Sequence, residues 1–191
     1  MLLRRRPSDG DLRAFIAAQA KLPFSYRDVG ATRGQPPAGQ AVDHNRVQLG
    51  YGRAAFERAE AALRGWQMFA MRGVELCWPN APLEVGTTVA VLAQLGRVWS
   101  LNACRIVYVI DERAPTVRRG FAYGTLPEHA VRGEERFVVE WNEASDEVTY
   151  DLLAFSRPAS LLLACARPLL RRAQRRFARA SLAAMQRAVR P

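Results

Sequence analysis

Between residues 68 and 155 the chain reads as six consecutive strand-like segments separated by turn residues. The segments are Met68 to Trp78, Thr87 to Leu95, Trp99 to Ile110, Gly120 to Leu126, Arg132 to Trp141 and Glu147 to Phe155. Phe137, Val139 and Trp141 alternate with Arg136, Val138 and Glu140, which is the period of a half-buried strand. Short links such as Pro79-Asn80-Ala81-Pro82, Asp111 to Pro115 and Asn142 to Asp146 are long enough only for antiparallel neighbours. From Pro158 onward the period changes to three and four, with Ala166, Leu169, Leu170, Ala173, Phe177, Ala180, Ala184 and Ala188 on one stripe. A sheet with one apolar face and a helix with one apolar stripe bury each other. The expected fold is therefore α+β: a curved antiparallel sheet of six to seven strands gripped by a long C-terminal helix.

Upstream, residues 8–20 read as a short helix capped by Ser8 or Asp9, with Leu12, Phe15, Ile16 and Gln19 at helical spacing and Pro23 as its stop. Residues 27–42 carry Gly30, Gly34, Gly39, Pro36 and Pro37 and read as a loop. Arg46 to Leu49 is a brief strand, Gly50-Tyr51-Gly52 breaks it, and residues 53–64 form a helix through Ala55, Phe56, Ala59, Ala62 and Leu63. The organisation is an N-terminal helical extension over 1–21 and a single domain over 22–191.

Charge narrows the function classes. The formal net charge is +10, and Lys21 is the sole lysine among 28 basic residues. No acid follows Asp151, whereas Arg157, Arg167, Arg171, Arg172, Arg175, Arg176, Arg179, Arg187 and Arg190 do. Nearly all of the excess charge thus sits on one helix. It is read as a solvated face, as a contact for an anionic membrane surface, or as a contact for nucleic acid phosphates. Nucleic acid is disfavoured, because no stacking aromatics interleave with these arginines. The apolar run Ala159 to Ala166 is far shorter than the ~20 residues of a spanning helix. Pro7-Ser8-Asp9 follows the basic start where a secretory leader needs apolar residues. Cys77, Cys104 and Cys165 form no CxxC pair and are expected to be buried thiols, which fits a cytoplasmic address. Only His44 and His129 supply imidazoles, so a zinc site is not expected, and no cofactor fingerprint is present.

The candidate site lies around the link between the fourth and fifth strands. Tyr123 and Thr125 are two apart and share a face. His129 is an acid or base near neutral pH that Glu135 could orient, although no nucleophile–base set follows from spacing. The competing reading is a turn shaped by Gly124 and Pro127, with Glu134 and Glu135 paired to surface arginines. Arg105 heads the apolar run Ile106 to Ile110 and needs a partner: Asp151, Glu112, Glu140 or a ligand carboxylate. The candidate ligand-binding residues are Arg105, Tyr123, Thr125, His129, Glu135 and Asp151, and Arg105, Tyr123, Thr125 and Asp151 are expected to line one cavity. A small apolar or amphipathic ligand is the expected partner, bound without catalysis.

Longer motifs carry a resemblance. Gly30-Ala31-Thr32-Arg33-Gly34, Leu49-Gly50-Tyr51-Gly52, Trp66-Gln67-Met68-Phe69, Gly120 to Pro127, Gly133-Glu134-Glu135-Arg136-Phe137, Ser156-Arg157-Pro158 and Gln174-Arg175-Arg176-Phe177 occur in this order. The chain from about residue 22 to 189 resembles uncharacterised protein family 0548, a bacterial and plant family without an agreed reaction or substrate. Glu128 stands where that pattern leads one to expect glycine. A plant member is associated with the chloroplast outer envelope, so the resemblance implies a membrane-associated or channel-related role as the alternative. An enzyme using His129 and Glu135 is the third reading. The element order also resembles the START-like and birch-allergen-like helix-grip superfamily, which encloses apolar ligands between helix and sheet.

Overall fold

The computed structural model describes residues 1–78, 80–113 and 116–190, without the side chain of Leu162. Pro79, Ala114 and Pro115, which belong to two of the expected turns, lie outside the described residues. The elements run β1 (Leu2–Leu3), α1 (Asp9–Gln19), β2 (Ala41–Tyr51), α2 (Gly52–Arg64), β3 (Val74–Cys77), β4 (Thr88–Leu95), β5 (Val98–Glu112), β6 (Val117–Thr125), β7 (Val131–Asn142), β8 (Glu147–Pro158), α3 (Leu161–Cys165) and α4 (Arg167–Val189). The sheet order is β2-β8-β7-β6-β5-β4-β3, antiparallel throughout, with β1 paired to β5. The meander from β3 to β8 follows chain order. α2 carries the chain from one sheet edge, β2, to the other, β3, and packs on the concave face beside α4. This is the helix-grip architecture expected from the strand series and the long helix.

The concave face holds the main core: Phe121, Phe137, Tyr150 and Leu152 from the sheet meet Phe56 and Leu63 of α2, Trp66, Met68 and Phe69 of the following turn, and Met185 and Val189 of α4. The α2 stripe is the expected one, with Ala55, Phe56, Ala59, Ala62 and Leu63 all buried. The convex face carries a second, smaller core in which α1 lays Leu12, Phe15 and Ile16 on Cys77, Ala90, Leu92 and Leu101. α1 opens with a capping box between Ser8 and Asp11.

Four expectations need correction. β2 runs from Ala41, well into the stretch read as loop, because its alternating exposed and half-buried residues pair along β8 from Ala41–Ser156 to Tyr51–Glu147. The segment from Met68 is not one strand. It begins as a tight turn over Gln67–Phe69 and pairs with β4 only over Val74–Cys77. In α4 the buried side chains are Ala178, Ser181, Ala184, Met185 and Val189, whereas Leu169, Ala173 and Ala188 face solvent. The stripe is rotated toward Ser181 because its hydroxyl meets the buried Tyr150 phenol at 3.0 Å. Arg172, Arg175, Arg176 and Arg179 are exposed, as expected. Cys77 and Cys104 are buried, and Cys165, expected to be so, is exposed.

Candidate functional site

On a strand, alternate side chains share a face, and cross-strand partners share it too. The register places Tyr123 opposite Glu135 and Glu135 opposite Ala154, which in turn faces Asp43 across β8 and β2. All four lie on the concave face, one row beyond the aromatic core. The C-terminal half of α4 seals that core. Its N-terminal half stands off, so that Leu170, Gln174 and Phe177 are only partly covered. Beneath it, Glu135 and Ala154 remain partly accessible although both sit on central strands. A cleft therefore runs between the sheet and the first turns of α4. Its inner wall is aromatic, with Phe177 5.6 Å from Phe69 and Tyr123 5.1 Å from Phe137, centroid to centroid.

Two polar contacts hold α4 across this cleft. Arg171 donates to both carboxylate oxygens of Asp43 at 2.5 and 2.7 Å, a forked geometry that lysine cannot copy. Gln174 donates to Ser156 Oγ at 2.8 Å. Outside them a groove of about 220 Å³ opens at the α3–α4 junction, lined in part by Ser156, Arg157, Arg167, Leu170, Arg171 and Gln174.

Glu135 is the chemically unusual group. Among the described residues its one hydrogen-bond partner is the Tyr123 hydroxyl, which donates to Oε2 at 2.7 Å. Burial pushes the carboxyl up to about 7; the tyrosine bond opposes that rise and the negative charge of Asp43 adds to it. Burial, and next the nearby Glu135, hold the Tyr123 phenol far above its ordinary range, so it stays a donor.

The structure does not bring the six sequence-derived residues together. Tyr123 and Glu135 meet in the cleft. Thr125 lies one row further on, but its hydroxyl is committed, accepting from the Gly133 amide at 3.0 Å and sharing a hydrogen bond with Ser25 at 2.7 Å. His129 Nδ1 accepts from the Val131 amide at 3.1 Å, and burial pushes the ring down to about 4, helped by repulsion from the chain's amino group. No hydrogen bond or ion pair among the described residues joins it to Glu135. Arg105 and Asp151 point to the convex face, so the expected common cavity with Tyr123 and Thr125 does not exist. Among the described residues no acid pairs with Arg105: its Nη2 donates to the carbonyls of Gln19, Ala20 and Leu22 at 3.1, 2.8 and 2.8 Å and so caps the end of α1.

The convex face holds a cluster that strand spacing alone did not reveal. The carboxylate of Glu134, 2% exposed, accepts from Tyr26 Oη and the Gly30 amide at 2.6 Å each, from the Thr32 amide at 2.9 Å, and from Thr32 Oγ1. It is not the surface partner of an arginine; it clamps the Gly30–Gly34 loop to the sheet. Tyr26 lies where a Cβ on Gly124 would stand, which is why that strand position is glycine. Arg136 donates to Thr32 O at 2.9 Å and to Asp151 at 2.8 Å, and His44 Nε2 lies 2.6 Å from the same carboxylate. Burial works to raise the Asp151 carboxyl, but the bonds from Arg136 and His44 outweigh it and hold it below the usual range. These contacts make a structural lattice. Asp43 lies between the expected loop and the expected strand, and Arg171 and Gln174 lie off the expected stripe of α4, so sequence reasoning does not single out these cleft residues, nor Ala154 and Ser156. The sequence signal was present in Phe177, Ala178, Ser181 and Met185. Among the described residues no three His, Cys, Asp or Glu side chains come together as a metal site, and no helix is long and apolar enough to cross a membrane.

Comparison with known proteins agrees with this architecture. A UPF0548 protein of Deinococcus radiodurans is 39% identical over 190 residues, covering 94% of each chain. A UPF0548 protein of Dictyostelium discoideum is 32% identical over 195 residues, covering 93% of this chain and 90% of its own. Among solved structures, a hypothetical protein from Helicobacter pylori superposes with a TM-score of 0.50 at 12% identity, covering 80% of this chain and 88% of its own. That likeness concerns the fold alone. Residues 25–184 match the family described as Domain of unknown function (DUF1990). The chain thus belongs to this uncharacterised family, whose curated relatives carry the name UPF0548 protein.

Proposed function

We propose that this protein binds a small, partly apolar ligand in the cleft between the sheet and the first half of α4, without chemical conversion. The observation that carries this reading is Glu135: a carboxyl on a central strand, beside an aromatic wall, with one partner and with surface still accessible. A buried polar group of this kind ordinarily has its hydrogen bonds satisfied. A ligand or water in the cleft supplies what the protein does not. The groove of about 220 Å³ is smaller than the ~300–1,000 Å³ typical of ligand sites, so loading requires α4 to lift at the Arg171–Asp43 and Gln174–Ser156 contacts. Against catalysis stand the lack, among the described residues, of a hydrogen bond or ion pair between His129 and Glu135 and the burial that pushes that imidazole down to about 4.

Native mass spectrometry of freshly purified protein, with Nile red titration, tests the reading. Ala154→Phe fills the cleft floor and is expected to remove both the co-purified mass and dye binding while leaving the melting temperature within a few degrees. Unchanged dye binding in that variant would refute the site.

A further inference from the structure

The cleft's outer mouth is basic. Arg157 at the end of β8 and Arg167 at the start of α4 both line the 220 Å³ groove, and neither has an ion-pair partner among the described residues. The third arginine there, Arg171, is occupied by Asp43. Between these charges the lining is Leu170, Ala164 and Pro158, with the Ser156 hydroxyl and the Gln174 amide at the inner end. A groove lined by two arginines without an ion-pair partner among the described residues and by apolar side walls matches one kind of molecule. It needs a negative head for the rim and a hydrocarbon body for the rest.

Resting on the cleft reading above, we infer that the ligand is an anionic amphiphile whose carboxylate or phosphate head is held by Arg157 and Arg167, with its apolar chain running under α4 toward Phe177. A volume of about 220 Å³ accommodates a head group and the first few carbons, and the chain continues into the space that α4 closes. At the inner end Glu135 is compatible with such a chain, because a carboxyl held up to about 7 is half protonated near that pH and largely neutral below it. The opposite polarity, a cationic head, would have to pass the arginine rim.

The test is a titration of the full chain, by isothermal calorimetry below the micelle concentration, with dodecanoate, dodecanol and dodecylamine. Dodecanoate is expected to bind about tenfold or more tightly than dodecanol at low salt, with dodecylamine weakest. Arg157→Gln with Arg167→Gln should erase the dodecanoate preference and leave dodecanol binding unchanged. Arg176→Gln with Arg179→Gln, on the outward face, should leave the preference intact. Equal binding of dodecanoate and dodecanol to the natural chain, both lost in Ala154→Phe, overturns the head-group assignment while the cleft reading stands. Equal losses from the rim pair and the outward pair also overturn it, since general attraction to the basic helix then explains the preference. Dodecanoate binding that the rim pair abolishes but Ala154→Phe leaves intact keeps the head-group site and refutes the cleft; no binding of any probe refutes both. Phosphatidylglycerol vesicles separate the two sources of such a head. Vesicle binding that the rim substitutions abolish and dodecanoate blocks assigns it to a membrane lipid. Dodecanoate binding without vesicle binding assigns it to a free amphiphile, and either supports the inference.

Discussion

Replacing Glu135 by glutamine should stabilise the protein, by an amount that grows from about pH 4.5 upward and is complete above about pH 7. The carboxyl is raised from 4.5 to about 7, chiefly by burial. Between those two pH values the folded protein keeps a proton that the unfolded chain has released. Stability from this group therefore falls as pH rises through that window, and the full cost is present above about 7. At about 1.36 kcal/mol per pH unit the ceiling is about 3 kcal/mol, and about 2 kcal/mol is the working figure once the partial accessibility of the side chain is allowed for. Glutamine has the same shape, still accepts from the Tyr123 hydroxyl and never carries the charge. Urea unfolding of both proteins, followed by fluorescence of the buried Trp66, gives the difference directly. All other titrating groups are common to the pair and cancel. The difference should be near zero at pH 4 and grow to about 2 kcal/mol in favour of glutamine at pH 8. Two stability curves that stay parallel within about 0.5 kcal/mol from pH 4 to pH 8 would refute the environment assigned to Glu135.

Glu134→Ala should cost about 3–5 kcal/mol in urea unfolding, because it strands the Tyr26, Gly30 and Thr32 donors. It should also speed amide exchange across Gly30–Gly34, where protection at the natural level would sink the clamp. Met185→Ala, at a side chain with no exposure, should cost about 2–5 kcal/mol. Arg176→Ala should stay within about 0.5 kcal/mol, and comparable losses for the two would mean the α4 faces are misassigned. Arg105→Ala leaves three carbonyls at the end of α1 without their donor. It should expose α1 to limited proteolysis while the concave core keeps its near-ultraviolet signal.

How much of this was legible in the sequence depends on which force set each element. The strand series, the α2 stripe and the long helix are products of hydrophobic period, and period is written locally. The seating of α4 is not. Half of its apolar residues are alanines, so shifting the buried stripe by a fraction of a turn changes little apolar area. The choice then falls to polar contacts with distant strands: Arg171 with Asp43, Gln174 with Ser156 and Ser181 with Tyr150. None of those partners can be identified from the helix alone. β2 was shortened for a related reason. Its outward residues His44 and Arg46 are polar and its pairing with β8 spans about a hundred residues of sequence, so no local pattern announces it.

The site residues failed for a sharper reason, which is parity. Alternation says which residues share a face within one strand, but it does not say which face is inside, and a single extra residue reverses the answer. β5 carries such an irregularity between Ile106 and Tyr108. Before it, Cys104 and Ile106 face the concave core and Arg105 faces out toward α1. After it, Tyr108 faces out as well and reaches Thr32 at 2.7 Å in the Glu134 cluster. An unbroken alternation would have turned Tyr108 into the concave core beside Ile106 and left Thr32 without that partner. The adjacent glutamates on β7 make the same point without any bulge. Glu134 and Glu135 are identical in type and neighbours in sequence, yet one secures a loop on the convex face and the other, in the cleft, has no ion-pair partner among the described residues. Their different chemistry comes from the sheet between them: four donors converge on the first, whereas a single tyrosine and an aromatic wall surround the second, whose carboxyl burial pushes up to about 7.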